Sequence, residues 1–158
     1  MTMQYEKVTK QDVERLCEIC GEDAVLWQED ISPDYSHDEL SLERFAPELV
    51  VLPQSVREVS EILAHCYERN IPVTPRGSGT GLCGGAVALH GGVVLVTTKM
   101  DRILEIDQEN LVAVVEPGVL LMELQAQVEE LDLFYAPDPG EKTATIGGNV
   151  STNAGGMR

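Results

Sequence analysis

The first regular pattern of apolar positions along the chain has helical spacing. Between residues 9 and 20, apolar side chains recur every three or four residues, which places them on one face of a helix. Gly21 follows directly, and a glycine in the left-handed conformation commonly ends a helix. The spacing therefore predicts a helix over residues 9–20. Its apolar face carries Val13, Leu16, Cys17 and Cys20.

A strand, a helix and a second strand are predicted next. Residues 48–53 (ELVVLP) form a short apolar run typical of a buried strand. Ser55 and Glu58 have the spacing of a capping box, in which each side chain bonds the other residue's main-chain N–H. The helix is expected to end at Asn70, and residues 71–75 (IPVTP) predict the second strand of a βαβ unit. The predicted packed face of this helix consists of Val59, Ile62, Leu63, Cys66 and Tyr67.

The later apolar runs continue with strand and helix patterns. Residues 93–98 and 111–115 are rich in valine and typical of strands, and residues 103–106 indicate another short strand. Residues 119–131 return to helical spacing. Residues 137–158 contain prolines, glycines and little apolar periodicity, so they predict a loop with at most one short helical turn.

These elements predict an α+β fold in which helices flank a small, mainly parallel sheet. The sheet is expected to contain strands near Val50 and Val73, with an adjoining set near Val94 and Val114. Residues 28–44 are acidic and rich in turn-forming residues, so we expect a long surface excursion there.

Charge narrows the classes of function. The chain has 27 Asp and Glu against 11 Lys and Arg, a net charge of −16, which disfavours binding to nucleic acid or anionic lipid. No stretch approaches the ~20 apolar residues of a membrane span. The N-terminus has no export signal, so we expect a cytoplasmic protein. Because cations are scarce, a phosphate-bearing ligand would be held mainly by main-chain N–H groups, and glycine-rich loops become the candidate sites.

The cysteines offer one candidate redox or metal site. Cys17 and Cys20 form a C-x-x-C pair, but both lie on the apolar face of the first predicted helix. That placement favours packing as small hydrophobic residues over redox or metal chemistry. We therefore expect all four cysteines to be free thiols.

Other polar groups give no catalytic constellation. An acidic cluster with one histidine could bind a divalent metal, but a solvated turn is the favoured interpretation. His65 is expected on the second helix and His90 in a loop, and neither has a neighbouring nucleophile. No catalytic residue and no metal ligand are predicted. The acidic cluster consists of Asp34, His37, Asp38 and Glu39.

The first glycine-rich stretch predicts an anion site. Residues 79–84 match G-x-G-x-x-G and follow a predicted strand, as in dinucleotide-binding folds. Residues 85–92, however, are too few to supply the crossover helix that an NAD-binding Rossmann unit needs, so that fold is rejected. Successive N–H groups in such a loop can still receive a phosphate. The alternative is a glycine-rich hairpin without a ligand.

The second stretch predicts a surface for a large polar ligand. Residues 137–156 are dense in small hydrogen-bonding side chains and nearly free of charge. Such a surface suits a flat ligand whose carbonyls and ring nitrogens need donors and acceptors at close range. The alternative is a disordered tail.

Three blocks in this order resemble a known family. They are PRGSGTGLCGG from Pro75, EPGVLLMEL from Glu116 and PDPGEKTATIGGNVSTNAGGMR from Pro137. Together they resemble the FAD-binding domain of the vanillyl-alcohol oxidase or p-cresol methylhydroxylase type. The strongest resemblance is to the FAD subunit of glycolate oxidase and to D-lactate dehydrogenases. It begins near Asp34 and covers the first third of a family member.

The resemblance implies the first subdomain of such an FAD-binding domain. It divides the chain into an N-terminal helix with an acidic loop (residues 1–44) and an incomplete FAD-binding part (residues 45–158). The cap domain that holds the substrate would be absent, and the chain would be a fragment of a longer protein.

Site residues are likewise implied by the resemblance. Residues 77–81 would donate to the FAD phosphates, while Thr145, Gly148, Asn149 and Ser151 would address the flavin. No histidine stands near Thr80, where some relatives attach the flavin covalently, so FAD would be non-covalent. The full expected set is Pro75, Arg76, Gly77, Ser78, Gly79, Thr80, Gly81, Leu82, Pro137, Asp138, Pro139, Gly140, Thr145, Gly147, Gly148, Asn149, Ser151, Thr152, Asn153, Ala154 and Gly155.

The implied activity is oxidation of a small 2-hydroxyacid, such as glycolate or D-lactate, to its 2-oxoacid. The hydride would go to FAD, and the electrons would pass to an electron-transferring flavoprotein, an iron–sulfur subunit or a quinone. Two alternatives remain open. One is an inactive cofactor-binding or scaffold fragment, and the other is an FAD enzyme of the same fold with another substrate, such as the cell-wall reductase or an alcohol oxidase.

Overall fold

A computed structural model describes residues 5–40 and 44–156 of the chain. Helices lie beside a four-stranded sheet, and a separate two-stranded hairpin follows in the chain. The helices are α1 (Lys10–Cys20), α2 (Val56–Glu68), α3 (Leu121–Glu129) and α4 (Ile146–Thr152). The strands are β1 (Val25–Trp27), β2 (Leu49–Val51), β3 (Val73–Arg76), β4 (Val93–Val96), β5 (Ile103–Asp107) and β6 (Val112–Val115).

The main sheet has the order β1-β2-β4-β3. Strands β2 and β3 both pair in parallel with β4, and β1 pairs antiparallel with β2. Every residue of β4 is buried, as expected for a central strand covered on both faces. The predicted α+β fold with a small, mainly parallel sheet is confirmed.

The predicted grouping of the strands near Val94 and Val114 into one adjoining set is wrong, although both strands are present. Val94 lies in the middle of the main sheet, where it pairs with Val50 and Thr74. Val114 lies instead in the antiparallel β5–β6 hairpin, opposite Glu105. The fully apolar run of β4 requires burial on both faces, whereas β6 alternates between exposed and half-buried residues.

Helix α1 begins and ends close to its predicted bounds. Thr9 caps it by accepting from the Asp12 main-chain N–H, and the Asp12 carboxylate accepts from the Thr9 N–H in return. Gly21 has φ +89° and ψ 153°, so it ends the helix in an extended conformation with positive φ and not in the predicted left-handed one. Burial raises the pKa of the Cys20 thiol to about 11, which keeps it protonated.

Helix α2 corrects two details of the prediction. Ser55 accepts from the Glu58 N–H, but the Glu58 carboxylate accepts from the Gln54 N–H and not from that of Ser55, so only half of the capping box forms. Leu63 and Tyr67 are 45% and 88% exposed. Each step of four residues turns about 40° around a helix, which carries these two positions away from the packed face. That face consists of Val59, Ile62 and Cys66.

A buried carboxylate joins the first two helices. Asp12 is 1% exposed, and its Oδ1 accepts from Arg69 Nε at 2.9 Å and lies 2.9 Å from His65 Nε2. Burial alone would raise the pKa of this carboxyl, but the hydrogen bonds from Arg69, Thr9 and His65 outweigh it and hold the pKa well below its usual range.

A second core lies between the hairpin and the later helices. Its buried residues are Val119, Leu121, Leu124, Val128 and Ile146, which join α3 to α4. The loop predicted over residues 137–158 therefore contains a seven-residue helix, longer than the single turn expected. Residues 157 and 158, the last two of the predicted loop, lie outside the described part of the chain. Among the described residues, no helix has the length and apolar composition needed to cross a bilayer.

Candidate functional site

The glycine loop (residues 77–84) leaves the carboxyl end of β3. At the ends of the parallel strands, Arg76 of β3 pairs with Val96 of β4, and Pro75 pairs with Leu95. This edge of a parallel sheet is where ligands bind in open α/β folds. Gly79 and Gly84 have φ values of +84° and +75°, which residues with side chains rarely adopt.

Most main-chain N–H groups of the glycine loop lack an acceptor among the described residues. Within the described residues, no hydrogen bond occupies the N–H groups of residues 78–83, which include Thr80 and Leu82. Leu82 is 58% exposed, so this part of the loop is open to solvent. A run of free N–H groups in a glycine-rich turn is a common binding site for phosphate.

The structure brings the two predicted segments together. The Ser78 hydroxyl donates to the Thr143 carbonyl at 2.6 Å, across 65 residues of sequence. A Cβ on Gly77 would overlap Oγ1 of Thr145, so the approach requires glycine at residue 77. The glycine loop and the C-terminal segment (residues 137–155) therefore border one site.

Thr145 and Gly147 fix the start of α4. Thr145 is 2% exposed, and its Oγ1 accepts from the Gly148 N–H at 3.2 Å, which caps the helix. Gly147 donates its N–H to the Pro117 carbonyl at 2.9 Å, and a Cβ at this position would press on Pro117. The Glu116–Gly118 block recognised in the sequence thus supports α4 by packing.

Asn149 carries a buried donor without a partner. The residue is 6% exposed, and its Nδ2 makes no hydrogen bond within the described part of the chain. An unsatisfied buried donor costs about 1–3 kcal/mol. A ligand carbonyl would remove that cost, so this amide fits a flavin, whose ring presents carbonyl oxygens.

The rest of the C-terminal segment bonds mainly to itself. The Ser151 hydroxyl donates to Gly147 O at 2.7 Å, and that of Thr152 donates to Gly148 O at 2.9 Å. Asn153 ends α4 in the left-handed conformation with φ 52°. The Ala154 N–H donates to Asn149 O, next to Gly155.

The turn over residues 137–140 closes on the end of the same segment. Asp138 Oδ1 accepts from the Gly140 N–H at 3.0 Å, and Gly140 has φ +86°. Asp138 also forms a parallel bridge with Gly156, next to Pro137 and Pro139. The turn is thereby placed beside the chain that follows α4.

The Arg76 side chain donates its hydrogen bonds to main-chain carbonyls of the protein itself. The guanidinium is buried, donates to His37 O at 2.8 Å and Asp34 O at 3.1 Å, and lies over the ring of Tyr35. Burial lowers the pKa of Arg76, and the charges of Tyr35, Asp38 and Asp34 oppose that effect. Its positive charge is therefore fixed inside the fold, beneath Gly79.

The predicted surface excursion contributes to this site, which the sequence did not indicate. Ser36 and Asp38 are 7% and 3% exposed, so this part of residues 28–44 is not a solvated loop. Asp38 Oδ2 accepts from the Gly84 N–H at 2.7 Å, and the Glu39 N–H donates to Gly81 O at 3.1 Å. Residues 41–43 lie outside the described part of the chain. No group of His, Cys, Asp and Glu among the described residues is arranged to hold a metal.

A shallow cavity of about 240 Å³ opens beside the start of the glycine loop. Its walls come from residues 32–35, from the end of β3 with the start of the glycine loop, and from the end of β4 with the turn after it. The lining residues are Ser32, Asp34, Tyr35, Arg76, Gly77, Ser78, Val96 and Thr98.

Comparison with known proteins agrees with this geometry. The family described as "FAD binding domain" matches residues 47–158. A D-lactate dehydrogenase of Anaerostipes hadrus is 49% identical over 98% of this chain and 33% of its own length. Glycolate oxidase subunit GlcD of Bacillus subtilis is 47% identical over 78% of this chain and 27% of its own.

Solved structures share the fold. Substrate-bound p-cresol methylhydroxylase is 27% identical with a TM-score of 0.79, and the match covers 90% of this chain and 30% of that one. Alkyldihydroxyacetonephosphate synthase, 20% identical, has a TM-score of 0.83 over 97% of this chain and 33% of its own.

The chain spans about a third of the length of the curated relatives that it matches. The match to the FAD-binding family covers both the glycine loop and the C-terminal segment. The chain therefore belongs to this family of FAD-binding domains, and its cofactor is FAD.

Proposed function

We propose that this chain is the cofactor-binding part of an FAD-dependent dehydrogenase or oxidase of small 2-hydroxyacids, such as glycolate or D-lactate. The observation that carries the proposal is the run of free N–H groups over residues 78–83, together with the unpaired Nδ2 of buried Asn149 in the segment that the loop contacts. One set of donors suits a diphosphate and the other suits a ring carbonyl. A dinucleotide flavin presents both groups in one molecule.

The glycine loop would hold the diphosphate. Its N–H groups can approach phosphate oxygens closely because glycines leave the backbone uncovered. This is the arrangement expected of a chain with a net charge of −16, which has few cations to place around an anion. The Ser78 hydroxyl, already bound to Thr143 O, would fix the distance between the diphosphate and the C-terminal segment.

The start of α4 would hold the flavin. The Asn149 amide would donate to a ring carbonyl and so satisfy a donor that otherwise stays unpaired. Bound FAD supplies the redox chemistry by accepting a hydride from the substrate's α-carbon. Non-covalent attachment is part of the proposal, because the glycine loop has no histidine and His90 instead packs beside the Tyr5 ring.

The relatives support the proposed substrate class. Proteins named D-lactate dehydrogenase and glycolate oxidase subunit GlcD are 49% and 47% identical to this chain, whereas p-cresol methylhydroxylase is 27% identical. A 2-hydroxyacid is therefore favoured over an aryl alcohol. As partners we propose an electron-transferring flavoprotein or an iron–sulfur subunit, with the substrate held by a cap domain.

The test begins with the complete reading frame that carries this sequence. The protein is purified and denatured, and released FAD is assayed in the supernatant. Activity is then compared on glycolate, D-lactate, L-lactate and an aryl alcohol with an artificial electron acceptor. Released FAD with preference for a 2-hydroxyacid supports the proposal. Released FAD without any such activity supports the scaffold alternative, and the absence of FAD contradicts the proposal.

A further inference from the structure

The glycine loop has little of its own to keep it ordered. Glycine loses more conformational freedom on ordering than any other residue, and this loop is rich in it. Because the N–H groups of residues 78–83 have no acceptor among the described residues, they give the free protein no means of fixing the loop. A ligand that had to order such a loop would bind more weakly.

Contacts from residues 34–39, in the N-terminal region before the matched FAD-binding part, hold the glycine loop in place. At the start of the loop, the Arg76 guanidinium bonds the carbonyls of Asp34 and His37. In the middle, the Glu39 N–H donates to Gly81 O. At the end, the Asp38 carboxylate accepts from the Gly84 N–H at 2.7 Å. Residues 34–39 therefore hold the loop at three points and leave the N–H groups between them free.

We propose that residues 34–39 form a clamp that presets the glycine loop to receive the FAD diphosphate, with Arg76 and Asp38 as positioning residues at its two ends. The clamp lies before residues 47–158, which the FAD-binding family matches. This inference rests on the proposed function, since it assigns the loop's ligand. It adds that the N-terminal region belongs to the cofactor site.

Burial explains why these two side chains suit the role. Arg76 and Asp38 are 8% and 3% exposed, so their bonds compete little with water. Arg76 also packs directly under Gly79, where a side chain would overlap its guanidinium. The clamp is thus a packed part of the fold, and its loss should change the loop before it changes distant elements.

The test compares variants at Asp38 in the complete reading frame. Asp38→Ala removes the acceptor of the Gly84 N–H, whereas Asp38→Asn keeps a side-chain oxygen there. The matched control is Asp107→Ala, which removes a carboxylate that accepts from the Glu109 and Asn110 N–H groups in the β5–β6 turn. Two quantities are measured: the Kd of the apoprotein for FAD by flavin fluorescence, and amide hydrogen exchange at Glu39 and Gly84, whose N–H groups bond Gly81 O and Asp38.

Asp38→Ala should raise the Kd for FAD by about tenfold, because the ligand must then order the loop. Exchange of the glycine loop should become faster at Gly84, and that of the clamp at Glu39. Asp38→Asn should remain within about threefold of the parent Kd, and Asp107→Ala should leave both quantities unchanged. Faster loop exchange with unchanged FAD affinity would overturn the clamp, as would unchanged exchange. If the parent protein bound no FAD, the proposed function itself would fail.

If Asp38→Ala does not fold, Arg76→Lys tests the clamp at its other end, where Arg76 precedes the glycine loop. It keeps the buried charge and loses the paired bonds to Asp34 O and His37 O. The Kd for FAD should rise by about fivefold, with faster exchange at Glu39 and Gly84. Parent-like affinity in this variant would overturn the role of Arg76.

Discussion

The two halves of the candidate cofactor site, the glycine loop and the start of α4, keep their shape in different ways. The glycine loop depends on partners far along the chain, with Arg76 bonded to residues 34 and 37 and Ser78 bonded to Thr143. The start of α4 depends more on near neighbours, since Thr145 caps its own helix and Ser151 bonds Gly147. It also has a link to an earlier block of the chain, because the Gly147 N–H donates to Pro117 O. Damage to distant packing should therefore loosen the glycine loop first, and substitutions within α4 should act mainly on α4.

The largest effect is expected from Asp12→Ala, which removes the buried carboxylate between α1 and α2. Breaking a buried ion pair leaves its partners unsatisfied, and we expect a loss of about 2–3 kcal/mol in the free energy of unfolding because Arg69 can still reach water. Urea denaturation measures this loss. The control is Glu14→Ala, whose ion pair with Lys10 is exposed. Hydrogen exchange should rise more at Gly84 of the glycine loop than in α4, and the reverse order would contradict the comparison.

Acid should act through the same carboxylate. The pKa of Asp12 is lower in the folded protein than the unfolded value of about 4, so its stabilisation is fully present above that pH and is lost as the pH falls below it. Urea midpoints between pH 7 and pH 3 should therefore fall less steeply in Asp12→Ala than in the parent protein. An equal fall of the urea midpoint with pH in the two proteins would show that Asp12 is not responsible for the loss of stability in acid.

Gly77→Ala tests the junction between the halves. Its Cβ would overlap Thr145 Oγ1, and such overpacking costs about 1–3 kcal/mol. The matched control is Gly81→Ala, because a Cβ there meets nothing within 4 Å and should leave the apoprotein's Tm unchanged. Equal Tm values for the two variants would show that the halves do not depend on this close approach.

Thr145→Ala tests the local character of the second half. Loss of a helix cap costs about 1 kcal/mol, and the change in hydrogen exchange should be confined to α4. Thr145→Ser keeps the hydroxyl and should retain most of that stability. Faster exchange across the whole glycine loop in Thr145→Ala would contradict the difference between the halves.

The smallest effect on stability is expected from Asn149→Leu. Replacing a buried unpaired amide by an apolar side chain of similar size should change the apoprotein's stability by less than about 1 kcal/mol, or raise it. Affinity for FAD should nevertheless fall, because the donor to the flavin is gone. Calorimetric Tm values of the apoprotein and FAD titration separate the two effects, and unchanged FAD affinity would remove Asn149 from the site.

The sequence predicted those parts of the fold that depend on local pattern. The apolar run of β2, the Ser55 cap and the helical spacing of α2 lie within about twenty residues and indicate the βαβ unit directly. The position of β4 between β2 and β3 follows from packing between distant residues, which no local pattern records. Strand β1 has only three residues, too few to show an alternation.

For the candidate site, the sequence indicated the two segments but not the contacts that hold them. Glycine content indicated the loop, because close backbone approach needs glycine. Small hydrogen-bonding side chains and low charge indicated the C-terminal segment. The clamp was not predictable, since the Arg76 acceptors are main-chain carbonyls, a group that every residue carries. The unpaired Asn149 amide likewise depends on its surroundings in the fold. The division of the chain at residues 44 and 45 stays a prediction.

The central claim is that the glycine loop and the C-terminal segment bind one FAD molecule together. Amide hydrogen exchange of the complete reading frame, measured with and without saturating FAD, tests it most directly. We predict slower exchange with FAD at residues 78–83 and at residues 143–150, and unchanged exchange in the β5–β6 turn. Protection confined to one segment, or absent from both, would contradict the claim.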